Sequence, residues 1–222
     1  MTDAPFAGDR KVGGSLLAGP ERWFKRAHVS KIPPWIETHH LTLLTILWSA
    51  CIVGFSWLAQ RHIHWLWCVS LMIALQYVTD LFDGEVGRRR NTGLVKWGFY
   101  MDHFLDYVFL CAILIGYSLI LPDRLKYMQL FILAVFGAFM VNSFLSFAVT
   151  NKFKISYLGI GPTEIRLVFV VVNTLLICFG KTYMGHALPY VLAGSFLGLC
   201  YVVYRTGRHL WKVDMDAKRD AS

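Results

Sequence analysis

Apolar positions in this chain run together in long blocks instead of alternating or marking one helical face. Six blocks stand out, at about 40–60, 64–86, 95–121, 125–150, 162–180 and 184–207. Each is close to the roughly 20 residues that a helix needs to cross a hydrocarbon core. The polar connections between them are short, leave no room for a second domain, and show no internal repeat. The pattern predicts an all-α, polytopic membrane protein with six transmembrane helices.

The remaining segments fall into place around that core. Residues 1–19, with Gly8, Gly13, Gly14 and Gly19, read as a mobile N-terminal tail without the layout of a secretory signal. Residues 20–36 read as an interfacial helix and linker, 37–210 as the six-helix transmembrane domain, and 211–222 as a polar C-terminal tail. In "ERWFKRAHVSKIPPW" (21–35), a helical wheel puts Trp23, Phe24 and Ala27 on one side and Arg22, Lys25 and Arg26 on the other. Pro33-Pro34 ends any such helix. A short amphipathic helix in the membrane interface fits this stretch, with an irregular basic linker as the alternative.

Composition agrees: 56% of the 222 residues are hydrophobic and 16% charged, against about half and a quarter in soluble domains. Charge distribution adds an orientation. Eighteen of the 22 basic residues fall on one side of the expected topology, leaving Arg61, Arg124, Lys126 and Lys181 on the other. Positive charge accumulates on the cytoplasmic side, so both termini and the 80–107 region are expected there. The net charge of +8 is then accounted for by anionic membrane lipids and calls for no nucleic-acid partner. Five cysteines (51, 68, 111, 178 and 200) lie in separate spans without paired spacing, which reads as apolar packing. His39-His40 and His62-x-His64 lie at opposite ends of the first span and cannot converge on one metal ion.

Against this background "DLFDGEVGRRRNTGLVKWGFYMDHFLDY" (80–107) is anomalous, because it brings five acidic residues to the ends of two apolar spans. Carboxylates within membrane spans are costly and mark function more often than elsewhere. On a helix, Asp80, Asp83, Gly84, Gly87 and Arg88 share a face, and Arg89 points away. On the next helix Gly98, Asp102 and Asp106 recur every four residues, and Asn91-Thr92-Gly93 signals the turn between the two. Two antiparallel helices are thus expected to face each other, with four carboxylates converging and only Arg88 beside them. Like charges oppose one another's ionisation, which leaves three solutions: protonation, pairing with distant bases, or divalent cations. Carboxylate oxygens suit the hard ions Mg²⁺, Mn²⁺ or Ca²⁺, and two such ions would form a clamp for phosphoryl or pyrophosphate oxygens. Glycines on the same faces leave room for a ligand to approach the backbone. Small residues every four positions also serve tight helix packing, and intramembrane acids also serve cation- or proton-coupled transport, the distant alternative here.

The stretch resembles the signature of the CDP-alcohol phosphotransferase (CDP-alcohol phosphatidyltransferase) family, D-x2-D-G-x2-A-R-x8-G-x3-D-x3-D. Asp80, Asp83, Gly84, Arg88, Gly98, Asp102 and Asp106 match; Gly87 replaces the alanine, and the spacer after Arg88 is one residue longer. Pairing Arg89 instead would restore the spacer but uses the opposite helical face. The resemblance implies transfer of a substituted phosphoryl group from a CDP-linked alcohol to an acceptor hydroxyl, with release of CMP. It implies a catalytic 37–210 domain and Mg²⁺ or Mn²⁺, as two ions, on Asp80, Asp83 and Asp102, with Asp106 sharing that role. Asp106 would be the general base, and Gly84, Gly87, Arg88 and Gly98 would line the CDP site. A homodimer is also implied.

His103 after Asp102, and Thr163-Glu164 before the fifth span, resemble the choline/ethanolamine branch, which pairs CDP-choline or CDP-ethanolamine with diacylglycerol. Lys152, Lys154 and Arg166 cut toward the other branch, in which CDP-diacylglycerol meets a small polar acceptor such as glycerol phosphate, inositol phosphate or serine. Glu164 has a plainer reading as a helix-start residue, and the bases have one in membrane topology.

Overall fold

The computed structural model describes residues 11–12, 18–91, 93–150, 153–154 and 161–220. Among these, the chain forms seven helices: α1 Ala18–His28, α2 Thr38–Leu58, α3 Leu66–Arg90, α4 Val95–Ile120, α5 Asp123–Thr150, α6 Pro162–Phe179 and α7 Thr182–Asp220. Apart from them, Lys11–Val12 pairs in parallel with Phe153–Lys154 over two residues. Six helical segments are long and apolar enough to cross a membrane, and the fold is that of an integral membrane protein. Two boundaries move outward from the hydropathy pattern. The second span runs to Arg90, and α7 continues to Asp220, because no glycine or proline follows Gly207 to stop it.

The bundle is apolar on the outside. On α2, Leu43, Ile46, Leu47 and Trp57 face outward, whereas the buried face is Thr38, Leu41, Thr42, Thr45, Ser49, Ile52 and Ser56. Small residues at a membrane interface allow backbones to approach closely, and α2 uses them on two sides. It packs intimately on both α3 and α4, while α3 and α4 scarcely approach each other by backbone. The two helices do bring their acidic faces together, but across a gap whose width is set by α2, their shared neighbour. Buried Thr42, Ser49 and Ser56 of α2 run at seven-residue intervals, as do Val69, Gln76 and Asp83 of α3. At one end of this pairing Thr38 and Thr42 of α2 meet Asp83 of α3. At the other contact, a Cβ on Gly116 of α4 would lie 2.5 Å from Ser56 Oγ, so only glycine fits that crossing.

Around this trio, α6 packs on α3, and α5 lies between α4 and α7. The apolar core gathers Ile52, Leu66, Val69, Ile73, Phe109, Ile113 and Leu176. A buried polar knot ties three helices within it. The Tyr117 hydroxyl donates to Asn173 Oδ1 at 2.9 Å, and Asn173 Nδ2 donates to Ser70 Oγ at 3.0 Å. Bonds of this kind between membrane helices contribute about 0.6 kcal/mol on average, so the knot fixes rotation more than it adds stability.

The α3–α4 connection follows the turn signal: Asn91 adopts the left-handed conformation at φ 50° and Gly93 lies at φ 70°. Thr92 lies outside the described residues. Arg90, the last residue of α3, donates to the carbonyls of Ile32, Pro33, Pro34 and Ile36, which fastens the α1–α2 linker to the end of α3. Helix α1 forms where the sequence places a helix, but the expected apolar side divides against the bundle, with Trp23 and Ala27 exposed and Phe24 turned in. Phe24 turns inward onto Phe82, with centroids 5.7 Å apart, while Trp23 faces out. The cysteines are all free, and the two histidine pairs lie at opposite ends of α2.

Gly116→Val is expected to destabilise the fold by about 1–3 kcal/mol through overpacking against Ser56, with partial recovery in Gly116→Val/Ser56→Gly. Thermal denaturation in detergent checks both.

Candidate active site

Three helix ends meet where the acidic residues lie. The last turns of α3 supply Asp80, Asp83, Gly84 and Arg88, and the first turns of α4 supply Gly98, Asp102 and Asp106. One carboxylate oxygen from each of Asp80, Asp83 and Asp102 lies within 4.8 Å of the other two. Oxygen ligands at roughly 2.0–2.6 Å from a Mg²⁺- or Ca²⁺-like ion stand at most about 4–5 Å apart across it, so the trio fits a hard divalent cation. Asp106 does not join that trio.

Asp83 is the most buried of the four, at 8% exposure, and α2 reaches it twice. The Thr42 hydroxyl lies 3.2 Å from Asp83 Oδ2, and the Thr38 hydroxyl donates to the Asp83 carbonyl at 3.3 Å. The small-residue stripe that lets α2 wedge between its neighbours thus also orients a carboxylate.

The buried counter-charge comes from α6. Arg166 Nη2 lies 3.0 Å from Asp80 Oδ2 and 3.0 Å from Asp106 Oδ1, and its side chain is 7% exposed. The guanidinium carbon lies 6.0 Å from the Tyr77 ring centre and 5.8 Å from that of Phe109, distances at which aromatic faces attract cations. The expectation that Arg88 alone stands near the carboxylates is corrected accordingly. Arg88 pairs with Glu85 at 2.9 Å with its side chain 68% exposed, and Arg89 bonds the same Glu85 at 3.1 Å. A Cβ on Gly84 would meet only the Arg88 guanidinium, at 3.4 Å, and one on Gly98 would meet nothing within 4 Å. Both positions border open space beside the carboxylates.

The remaining sequence candidates take structural partners. Glu164 Oε2 accepts from the Gly161 amide at 2.9 Å, a capping box at the start of α6. His103 Nδ1 bonds the Phe99 carbonyl at 2.7 Å and lies 3.8 Å from Asp102 Oδ2. Its ring packs on Phe99 and edge-on to Phe144, toward α5. Lys152 lies outside the described residues, and Lys154 is described only through its backbone pairing.

One residue escaped sequence reasoning altogether. Glu21 of α1 accepts hydrogen bonds from the Tyr77 hydroxyl at 2.9 Å and the Thr163 hydroxyl at 3.0 Å, joining α1, α3 and α6 above Arg166. Its only signal was being the sole acid in a basic, amphipathic segment.

No curated protein sequence matches the chain closely enough to count as a relative. The family model for CDP-alcohol phosphatidyltransferase matches residues 39–199, which run from the first turn of α2 into α7 and include all four aspartates and Arg166. Most of the chain is covered, the family uses divalent metal ions, and the aspartate trio fits one. By this match the chain belongs to the CDP-alcohol phosphatidyltransferase family.

Proposed function

We propose that this protein transfers a substituted phosphoryl group from a CDP-linked alcohol to an acceptor hydroxyl at the cytoplasmic membrane face, releasing CMP. The observation that carries the reading is the division of labour among four carboxylates. Asp80, Asp83 and Asp102 gather their oxygens, and Asp106 lies apart, held by Arg166. The trio would hold Mg²⁺ or Mn²⁺, with Asp106 contributing to a second ion. Such ions, when bound, neutralise charge building on pyrophosphate oxygens.

Asp106 acts as general base and takes the proton of the acceptor hydroxyl. The acceptor oxygen bonds to the β-phosphorus, the bond between that phosphorus and the bridging oxygen breaks, and CMP leaves with the bridging oxygen. Arg166 orients Asp106 and keeps the carboxylate charge compensated in a water-poor setting. Gly84, Gly87 and Gly98 leave the nucleotide room beside the helix ends, and Arg88 contacts its phosphates once released from Glu85.

Within this reaction the residues divide between two substrate pairings. His103 and Thr163-Glu164 support CDP-choline or CDP-ethanolamine with diacylglycerol, by resemblance. Arg166 supports CDP-diacylglycerol with a small acceptor, because a buried cation beside the base favours a phosphorylated alcohol. The positive-inside distribution supports the cytoplasmic placement, α1 supports an interfacial N-terminal helix, and a homodimer is carried by resemblance.

Purified protein in mixed micelles with Mn²⁺ or Mg²⁺ is expected to release CMP from one of these pairings; absence of release from all of them, without metal-dependent CDP binding, would reject the reaction. Asp106→Asn should lower kcat by about 10²–10⁴ while retaining the Mn²⁺ ion held by Asp80, Asp83 and Asp102, measured by electron paramagnetic resonance, whereas Asp83→Asn should weaken binding of that ion itself. Arg88→Ala should raise KM for the CDP substrate by about tenfold, the loss of one charged phosphate contact, and Arg89→Ala should leave it near the parent value. The reverse ranking would assign the phosphate contact to Arg89.

A further inference from the structure

Helix α6 delivers Arg166 to the carboxylates, so its placement against α3 decides where the guanidinium sits. Deep in the bundle, that placement is fixed by the Asn173–Ser70 bond. Near the helix start the ties are different. Thr163 belongs to the same first turn as Arg166, and its hydroxyl donates to Glu21. Tyr77 lies one turn before Asp80 on α3, and its hydroxyl donates to the same oxygen, Glu21 Oε1. The Tyr77 ring lies beside the Arg166 guanidinium. A single carboxylate from α1 therefore bridges the two helices whose relative position sets the contacts of Arg166 with Asp80 and Asp106.

Chemistry makes this bridge specific. One carboxylate oxygen accepts from two hydroxyls, and hydrogen bonds to a charged acceptor are shorter and stronger than neutral ones. Glu21 is the one acid of α1, beside Arg22, Lys25, Arg26 and His28, and its carboxylate bonds out of the helix to Tyr77 of α3 and Thr163 of α6. It is also oriented: α1 is anchored independently, through Phe24 on Phe82, and its following linker is fastened by Arg90. With α1 held at both places, Glu21 has a fixed base from which to position the start of α6.

We infer that Glu21 is a positioning residue that holds the first turn of α6 on α3 and thereby seats Arg166 between Asp80 and Asp106. The catalytic consequence rests on the reaction proposed above; the positional one does not. An amide oxygen can accept both hydroxyls, so Glu21→Gln should preserve the bridge and Glu21→Ala should break it.

Two measurements on the full-length protein test this. In the first, hydrogen–deuterium exchange in micelles is followed at the start of α6, over the amides from Ile165 onward, the first that are hydrogen-bonded to backbone there. Glu21→Ala should raise exchange there by roughly tenfold, the loss of one to two hydrogen bonds, with Glu21→Gln close to parent and the Asn173 region of α6 unchanged. Equal exchange at these amides in parent and Glu21→Ala would overturn the inference whatever the protein's reaction proves to be. In the second, CMP release is measured for Glu21→Ala, Arg166→Ala and the double variant. Glu21→Ala should lower kcat by about tenfold with KM for the CDP substrate changed less than about twofold, and should cost nothing further in the Arg166→Ala background, as for two residues acting through one contact. An equal cost in both backgrounds would show that Glu21 does not act through Arg166. Absence of CMP release from the parent rejects the reaction and leaves the exchange measurement to decide the position of α6.

Discussion

A guanidinium shared by two carboxylates in an apolar setting is the constraint around which this bundle is arranged. Arg166 is almost wholly enclosed, and removing such a charge from water costs several kcal/mol unless it is compensated. Compensation requires Asp80 from α3 and Asp106 from α4 to arrive at one nitrogen, which fixes three helices relative to one another. The aromatic rings of Tyr77 and Phe109 line the same guanidinium and keep its position narrow. Such an arrangement is poor as a source of stability but good as a source of geometry, because displacing any partner leaves a charge uncompensated.

How much of this was legible in the chain depends on the range of the interaction. The six spans were legible because hydropathy is a local property, and two of them end later than the apolar run does, α3 at the Asn91 turn and α7 where no stop signal follows. The convergence of acids was legible because spacing within each helix fixes a common face, so Asp80 and Asp83 had to point together; singling out Asp80, Asp83 and Asp102 among the four came from the family resemblance. The partner of those acids was not. Arg166 is 60 residues from Asp106, and its direction depends on how α6 rotates against α3, which no local pattern records. Arg88 looked the better partner on a helical wheel, but Glu85, three residues away on the same helix, takes it first.

The distance between α3 and α4 was not legible for a similar reason. Two acidic stripes joined by a short turn told which faces meet, but the small-residue stripe on α2 lets that helix come closer to each than they come to one another. The stripe was visible as Thr38, Thr42, Thr45, Ser49 and Ser56, but small polar residues carry no strong hydropathy signal. Its effect is tertiary: carboxylates converge across a space that neither backbone fills. Glu21 was read as part of a surface helix, since an acid in a basic segment looks like ordinary charge balance until its hydroxyl partners on α3 and α6 are seen.

The glycine at the crossing of α2 and α4 has a consequence beyond local fit. Gly116 lies 14 residues along α4 from Asp102, or about 21 Å at 1.5 Å per residue. The contact with Ser56 is therefore a fulcrum at one end of the helix, and the carboxylates ride on the long arm. A tilt of about 5° at that fulcrum would sweep Asp102 through roughly 2 Å, a length comparable to a metal–oxygen bond. A side chain at position 116 would thus be felt at the far end of the same helix, where Asp102 stands.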